Sequence, residues 1–315
     1  MTAMDEKLAN GMTNQAVRKI RKNNQDNTKS ILKIYKEIAK IYRKNNSGGY
    51  FSAICTKMAN EFSEEFLLNC AIFKTRMSKD RLFQVTTLAI NPTRYITGNG
   101  HENVEDCLGI NNYRIEMKKL SVSAGLIIMP VVIIRHALKR LLENGAMPDL
   151  EPKSLSDLAR RTSVFAHIQK ICRSKKDIIA DIVIPVGDIK NPSGVLVGRI
   201  SPVRFEIQNI ENLSDDENGI VMATYVPIGD LPQFRIDAVK AFCRYISSFS
   251  DEKITEMIIQ ISSDTELDPK IVDEFVHIQD MLTQSFRSWS RMPGSYISEF
   301  EDIPCEDDIN SEMSL

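Results

Sequence analysis

Nucleotide and metal chemistry leave recognisable spacings, and this sequence has none of them. There is no GxxxxGK[ST] loop to cradle a triphosphate, and no HExxH or CxxC spacing to hold a metal. The nearest approach to a dinucleotide loop, Gly98-Asn99-Gly100-His101-Glu102-Asn103, lacks the third glycine. No G-x-S-x-G nucleophile elbow occurs. The four histidines, His101, His136, His167 and His277, are scattered. Aromatic residues make up only 7% with a single Trp, and no zinc finger, RNP-type aromatic strand or GXXG clamp appears, which argues against base-specific RNA readout. These absences predict a protein without catalytic activity and without a cofactor or metal.

The six cysteines are too far apart to suggest a metal cage. Most fall in apolar helical patterns, where a free thiol packs as a small hydrophobe. No disulfide framework is expected, which fits a reducing, cytoplasmic setting. Cys172, flanked by Lys170 and Arg173, is the one thiol in basic surroundings and the only candidate cysteine nucleophile. The longest uncharged stretch, Leu120 to Ile134, contains Pro130 and is shorter than the roughly 18 to 20 residues that span a bilayer. No transmembrane segment is expected.

What is present is a core and a charge gradient. Of 315 residues, 43% are hydrophobic, enough for a folded chain. The formal net charge of −2 hides opposed ends. Residues 1–44 hold eleven Lys/Arg against four Asp/Glu, whereas residues 299–315 hold seven acids and no base.

Periodicity predicts an α+β protein, predominantly α-helical, with a small antiparallel β-meander around residues 178–228. Four regions are expected: 1–49, a basic arm and amphipathic helix; 50–176, a helical domain with one or two strands; 177–292, the meander and further helices; and 293–315, an acidic tail. Polar residues 1–27 read as a mobile arm, with a short helix around Val17–Lys22. Asn27 or Thr28 would then cap a helix running to Lys44. Ser63-Glu64-Glu65 reads as a fresh helix start that turns Phe66, Leu67, Cys70 and Phe73 inward, and Phe83–Ile90 reads as a strand. Residues 91–112, interrupted by Pro92, Gly98, Gly100 and Gly109, read as a long polar loop. A helix is expected from about Pro130 to Glu143 with Gly145 closing it, and others over 156–173, 234–249, 252–262 and, capped by Asp268-Pro269, 269–290. IVIPVGDI (182–189) and TYVPIGDL (224–231) repeat one pattern, so Gly187 and Gly229 are both candidates for positive φ in turns on a common rim.

The strongest functional signal is basic. On a helix at 100° per residue, Lys29, Lys33, Lys36, Lys40, Arg43 and Lys44 share a sector of roughly 100°, opposite Ile31, Ile34, Ile38 and Ile41. A solvated face usually mixes signs to gain i,i+4 pairs, and this one hardly does. A second set, Arg160, Arg161, Arg173, Lys175 and Lys176, is extended by Arg135 on the preceding helix, and arginine suits bidentate phosphate contact. These residues predict RNA or other polyanion binding by a self-associating, nucleocapsid-like or scaffold protein. The alternative is an interaction module whose N-terminal helix docks its apolar side on a partner subunit. A third reading is an unfamiliar enzyme built on the 91–112 loop.

Overall fold

A computed structural model describes residues 4–42, 48–74, 81–96, 102–118, 121–174, 181–205, 217–262 and 266–286. Its elements are α1 (Glu6–Tyr42), α2 (Gly48–Ala59), β1 (Leu67–Lys74), β2 (Arg81–Ile96), β3 (Glu102–Lys118), β4 (Ser121–Ile128), β5 (Val131–Ile133), α3 (Arg135–Glu143), α4 (Pro152–Ser174), β6 (Ile182–Gly187), β7 (Pro192–Phe205), β8 (Glu217–Pro227), α5 (Gln233–Ile246), α6 (Asp251–Ser262) and α7 (Pro269–Phe286).

The expected small antiparallel meander is replaced by one eight-stranded sheet of mixed topology, running β1-β2-β3-β5-β8-β7-β6 with β4 on β3. β5 runs parallel to β8 through Val131↔Ile220 to Ile133↔Met222. β2 also pairs with β7, through Thr93↔Phe205 to Tyr95↔Val203. The path β2-β3-β5-β8-β7 therefore returns to β2 and closes a ring. The 91–112 segment is not a loop: β2 and β3 pair in register from Arg81↔Met117 to Ile96↔Glu102, placing Pro92 opposite Asp106 and Cys107 opposite Asn91. Ser201-Pro202 does not interrupt strand β7, whose partner β8 stays paired through Pro202↔Asn218. The Ser63–Phe73 stretch turns into strand β1 instead of a helix, and a register irregularity between Leu67 and Asn69 changes which face its residues meet: Leu67, Cys70 and Ile72 pack in one cluster, Leu68 in another.

The N-terminal reading changes most. Residues 6–42 form one helix of 37 residues. Asp5 caps it, its Oδ1 accepting the backbone N–H of Lys7 at 2.9 Å and of Leu8 at 3.3 Å. Asn27 and Thr28 lie mid-helix. Thr28 Oγ1 donates back to Asn24 O at 2.9 Å, a bond a helix tolerates. The buried stripe is Ala9, Thr13, Ala16, Ile20, Asn24, Asn27, Ile31, Ile34 and Ile38, spaced by three or four throughout. Its polar middle is built in: Asn24 Nδ2 donates to Ile90 O of β2 at 2.7 Å. Ile31, Ile34 and Ile38 pack on Phe83, Val85, Tyr113, Ile115 and Met117, which the register Phe83↔Ile115 and Val85↔Tyr113 places on one sheet face. Each buried isoleucine contributes roughly 2 kcal/mol of apolar transfer.

The predicted helix ends are found elsewhere. Gly145 has φ +64°, with its N–H on Leu142 O and that of Ala146 on Leu141 O, a Schellman stop for α3. Asp268 Oδ1 accepts the N–H of Lys270 at 3.0 Å at the start of α7. The repeated turns do lie at one end of the sheet, because Gly194 of β7 pairs with Val186 on one side and Pro227 on the other. Of the two turn glycines, Gly187 has positive φ, at +91°, whereas Gly229 sits in a 3-10 turn, Ile228–Asp230.

Candidate nucleic-acid interface

Lys29, Lys33, Lys36 and Lys40 all lie exposed on the outer side of α1, opposite the isoleucines that hold the helix to the sheet. Arg43 and Lys44 lie outside the described residues. Lys33 Nζ meets Glu61 at 2.7 Å and Lys29 Nζ meets Asp26 at 3.3 Å. Both are surface pairs, which contribute about 1 kcal/mol at most. Lys36 and Lys40 have no ion pair among the described residues.

Because residues 6–42 form one helix and not a mobile arm followed by a helix, two further cations join the row. At 100° per residue, Arg18, Lys22, Lys29, Lys33, Lys36 and Lys40 fall within a sector of roughly 60°. Arg18 and Lys22 are exposed and, like Lys36 and Lys40, unpaired among the described residues. The row spans 22 residues, roughly 33 Å at the helical rise. The signal was available in the spacing of 4, 7, 4, 3 and 4 between successive cations. It was obscured by Asn23-Asn24-Gln25-Asp26-Asn27, which reads as a break. Beside the row, Leu32 is 50% exposed. Together with Lys29, Lys33, Lys36 and Glu37, it lines a shallow depression of about 340 Å³.

Of the second basic set, the described side chains are Arg135, Arg160 and Arg161. Arg160 donates to Asp251 O at 2.9 Å and also to Thr255 Oγ1, which ties α4 to α6. Arg161 is half-buried on α4; the Arg173 side chain, Lys175 and Lys176 lie outside the described part. Arg135 begins α3 and donates to Asn14 Oδ1 of α1. It also faces Glu105 of β3, whose carboxyl is pushed up by burial and held down by Tyr95 Oη and by Arg135. Tyr95 Oη donates to Glu105 Oε1 at 2.8 Å. Arg135 and Arg160 are thus engaged within the fold.

Other candidate chemistry is placed as follows. Cys172 is buried, with Sγ against Val272 O at 3.9 Å. His136 is exposed, and burial plus nearby Lys170 pushes His167 down to about 4. Among the described residues no three His, Cys, Asp or Glu side chains gather as a metal would need, and no helix is long and apolar enough to cross a membrane. No family profile, curated protein or solved structure matches the chain.

Proposed function

We propose that the chain binds RNA or another polyanion, without catalysis, through the outer side of α1. One observation carries this reading: six cations stand in a single row on a helix whose opposite side is fixed to the sheet, and four of them have no ion pair among the described residues. Six like charges in a row repel one another, and neutralising phosphates releases the counterions that otherwise screen them. The helix is buried along one side from Ala9 to Ile38, which sets the row out in advance and reduces what is lost to ordering on binding. No base-reading device accompanies it, so contact is to the backbone and tolerant of sequence. The apolar side of α1 is occupied by the chain's own sheet, which favours this reading over docking of that side on a partner.

Self-association belongs to the same reading. β4 pairs only with β3 among the described residues, and Ser121–Ile128 carries neither charge nor proline, the usual guards of an edge strand.

The test is salt-dependent binding of a labelled single-stranded RNA. Six contacts give a log–log slope of roughly −4. Changing Lys33, Lys36 and Lys40 together to Gln should flatten it by about 2 and weaken all sequences alike. An unchanged slope and affinity, with helicity intact, would remove the phosphate role.

A further inference from the structure

We propose that the outer row of α1 is also the docking surface for the chain's own acidic segment, residues 299–315, which competes with the polyanion for it. This rests on the same cations as the proposed function but concerns a different occupant, and it holds or fails independently.

Charge complementarity selects the segment. It has seven acids and no base, and Phe300, Ile303 and Ile309 are interleaved with them. The row has six cations, with Leu32 half exposed among them. A ligand that places carboxylates on Lys29, Lys33 and Lys36 and an apolar side chain on Leu32 matches both properties. A plain polyanion matches only the first. The acids already facing the row, Asp26, Glu37 and Glu61, are too few: two of them pair with Lys29 and Lys33, and Arg18, Lys22, Lys36 and Lys40 have no ion pair among the described residues.

Glu217 of the other acidic run is held away from Lys29–Lys40. Asp215-Asp216-Glu217 leads into β8, where Glu217 pairs with Val203 and Val203 with Tyr95. Lys29–Lys40 stands over Phe83 and Val85, ten residues away along β2, or roughly 33 Å. The last described residue is Phe286; the 13 residues from there to Glu299 have a contour of roughly 43 Å, and the 26 to Glu312 one of roughly 86 Å. A folded chain of this size is about 50 Å across. A tethered ligand of this kind acts at an effective concentration of roughly millimolar, enough to compete with free RNA when salt is low.

Zero-length carbodiimide cross-linking of the full chain tests the contact without RNA. At low salt, peptide mapping of the monomer should join Lys29, Lys33, Lys36 or Lys40 to acids within 299–312, and the links should vanish at high salt. Links from these lysines to Asp26 and Glu61 alone would overturn the proposal, as would links confined to dimers, which assign the contact to a second copy. A full-length variant with the seven acids changed to Asn or Gln gives the second arm. It should bind single-stranded RNA roughly tenfold tighter than the unaltered chain at low salt, and equally at high salt. Equal affinity at low salt, with RNA binding intact, would overturn the competition. If the cross-links form but neither protein binds RNA, polyanion binding falls and the docking stands.

Discussion

Gln169 and Val183 bond each other twice. The side-chain Nε2 donates to Val183 O at 2.8 Å, and Val183 N donates to Oε1 at 3.1 Å. A glutamine from α4 thus stands where a neighbouring strand would, and closes the outer edge of β6 near its start. Both groups are buried. Gln169→Leu keeps the volume and strands a buried donor and acceptor, which costs about 1–3 kcal/mol for each group. A chemical denaturation midpoint lowered by a total of about 3 kcal/mol is expected. No loss would show that the edge finds other partners.

The repeated turns separate into two cases. At Gly187, φ is +91° and a Cβ would sit 2.9 Å from Ser193 Oγ, so Gly187→Ala should cost about 1 kcal/mol or more. At Gly229 nothing lies within 4 Å of that position and φ is ordinary. Gly229→Ala should change stability by less than about 0.5 kcal/mol. Thermal melts of the pair decide it, and equal losses would contradict the assigned backbone.

How much of this was legible follows from which groups are buried. Segments whose apolar period matched their fate were readable, such as the end of α3 with its Gly145 stop and the start of α7 with its Asp268; the start of α3 was not, since Val131–Ile133, expected inside that helix, is strand β5 and the helix begins at Arg135. α1 was not, because Thr13, Asn24 and Asn27 occupy its buried stripe. A buried Asn is acceptable only once a partner exists, and the partner of Asn24 is the carbonyl of Ile90, 66 residues away. The β2–β3 hairpin was hidden in the same way. Thr93, Asn91 and Asn111 look like loop residues, yet all are buried, and Asn91 Nδ2 donates to Asn111 Oδ1 at 2.9 Å. β1 failed by spacing, since its apolar residues suit a helix and a strand alike. In the site, Lys29–Lys40 were legible from periodicity. Arg18 and Lys22 were hidden with the helix that carries them, and the internal bonds of Arg135 and Arg160 depend on tertiary neighbours that no local pattern encodes.

His167 makes stability depend on pH. Burial and Lys170 push it down to about 4 from an ordinary value near 6.5. The unfolded chain therefore takes up a proton that the folded chain refuses between about pH 6.5 and 4. Stability from this site is fully present above that window and falls as pH drops through it, by on the order of 2–3 kcal/mol. His167→Gln cannot titrate, so its denaturation midpoint should decline less between pH 7 and 4. Parallel declines in both proteins would place the acid sensitivity elsewhere.

Arg18 and Lys22 test whether the cationic row acts as one surface. They join Lys29–Lys40 only if α1 is continuous through Asn23–Asn27, because a break there would swing them off the line. The continuity rests on named bonds: Asn24 on the Ile90 carbonyl, Thr28 on the Asn24 carbonyl, and Arg21 to Asp106 at 3.0 Å. Changing Arg18 and Lys22 to Gln keeps high helix propensity and disturbs no ion pair among the described residues. If the row binds a single strand as a unit, the double variant should flatten the log–log salt slope by roughly 1.4, that is about 0.7 for each phosphate left without its cation. Asn24→Asp supplies the complementary case. It removes the donor to Ile90 and buries a charge, so it should loosen the helix and weaken RNA binding with every lysine still present. Binding that ignores Arg18 and Lys22 but follows Lys33, Lys36 and Lys40 would confine the interface to the half of α1 that packs on Phe83 and Val85.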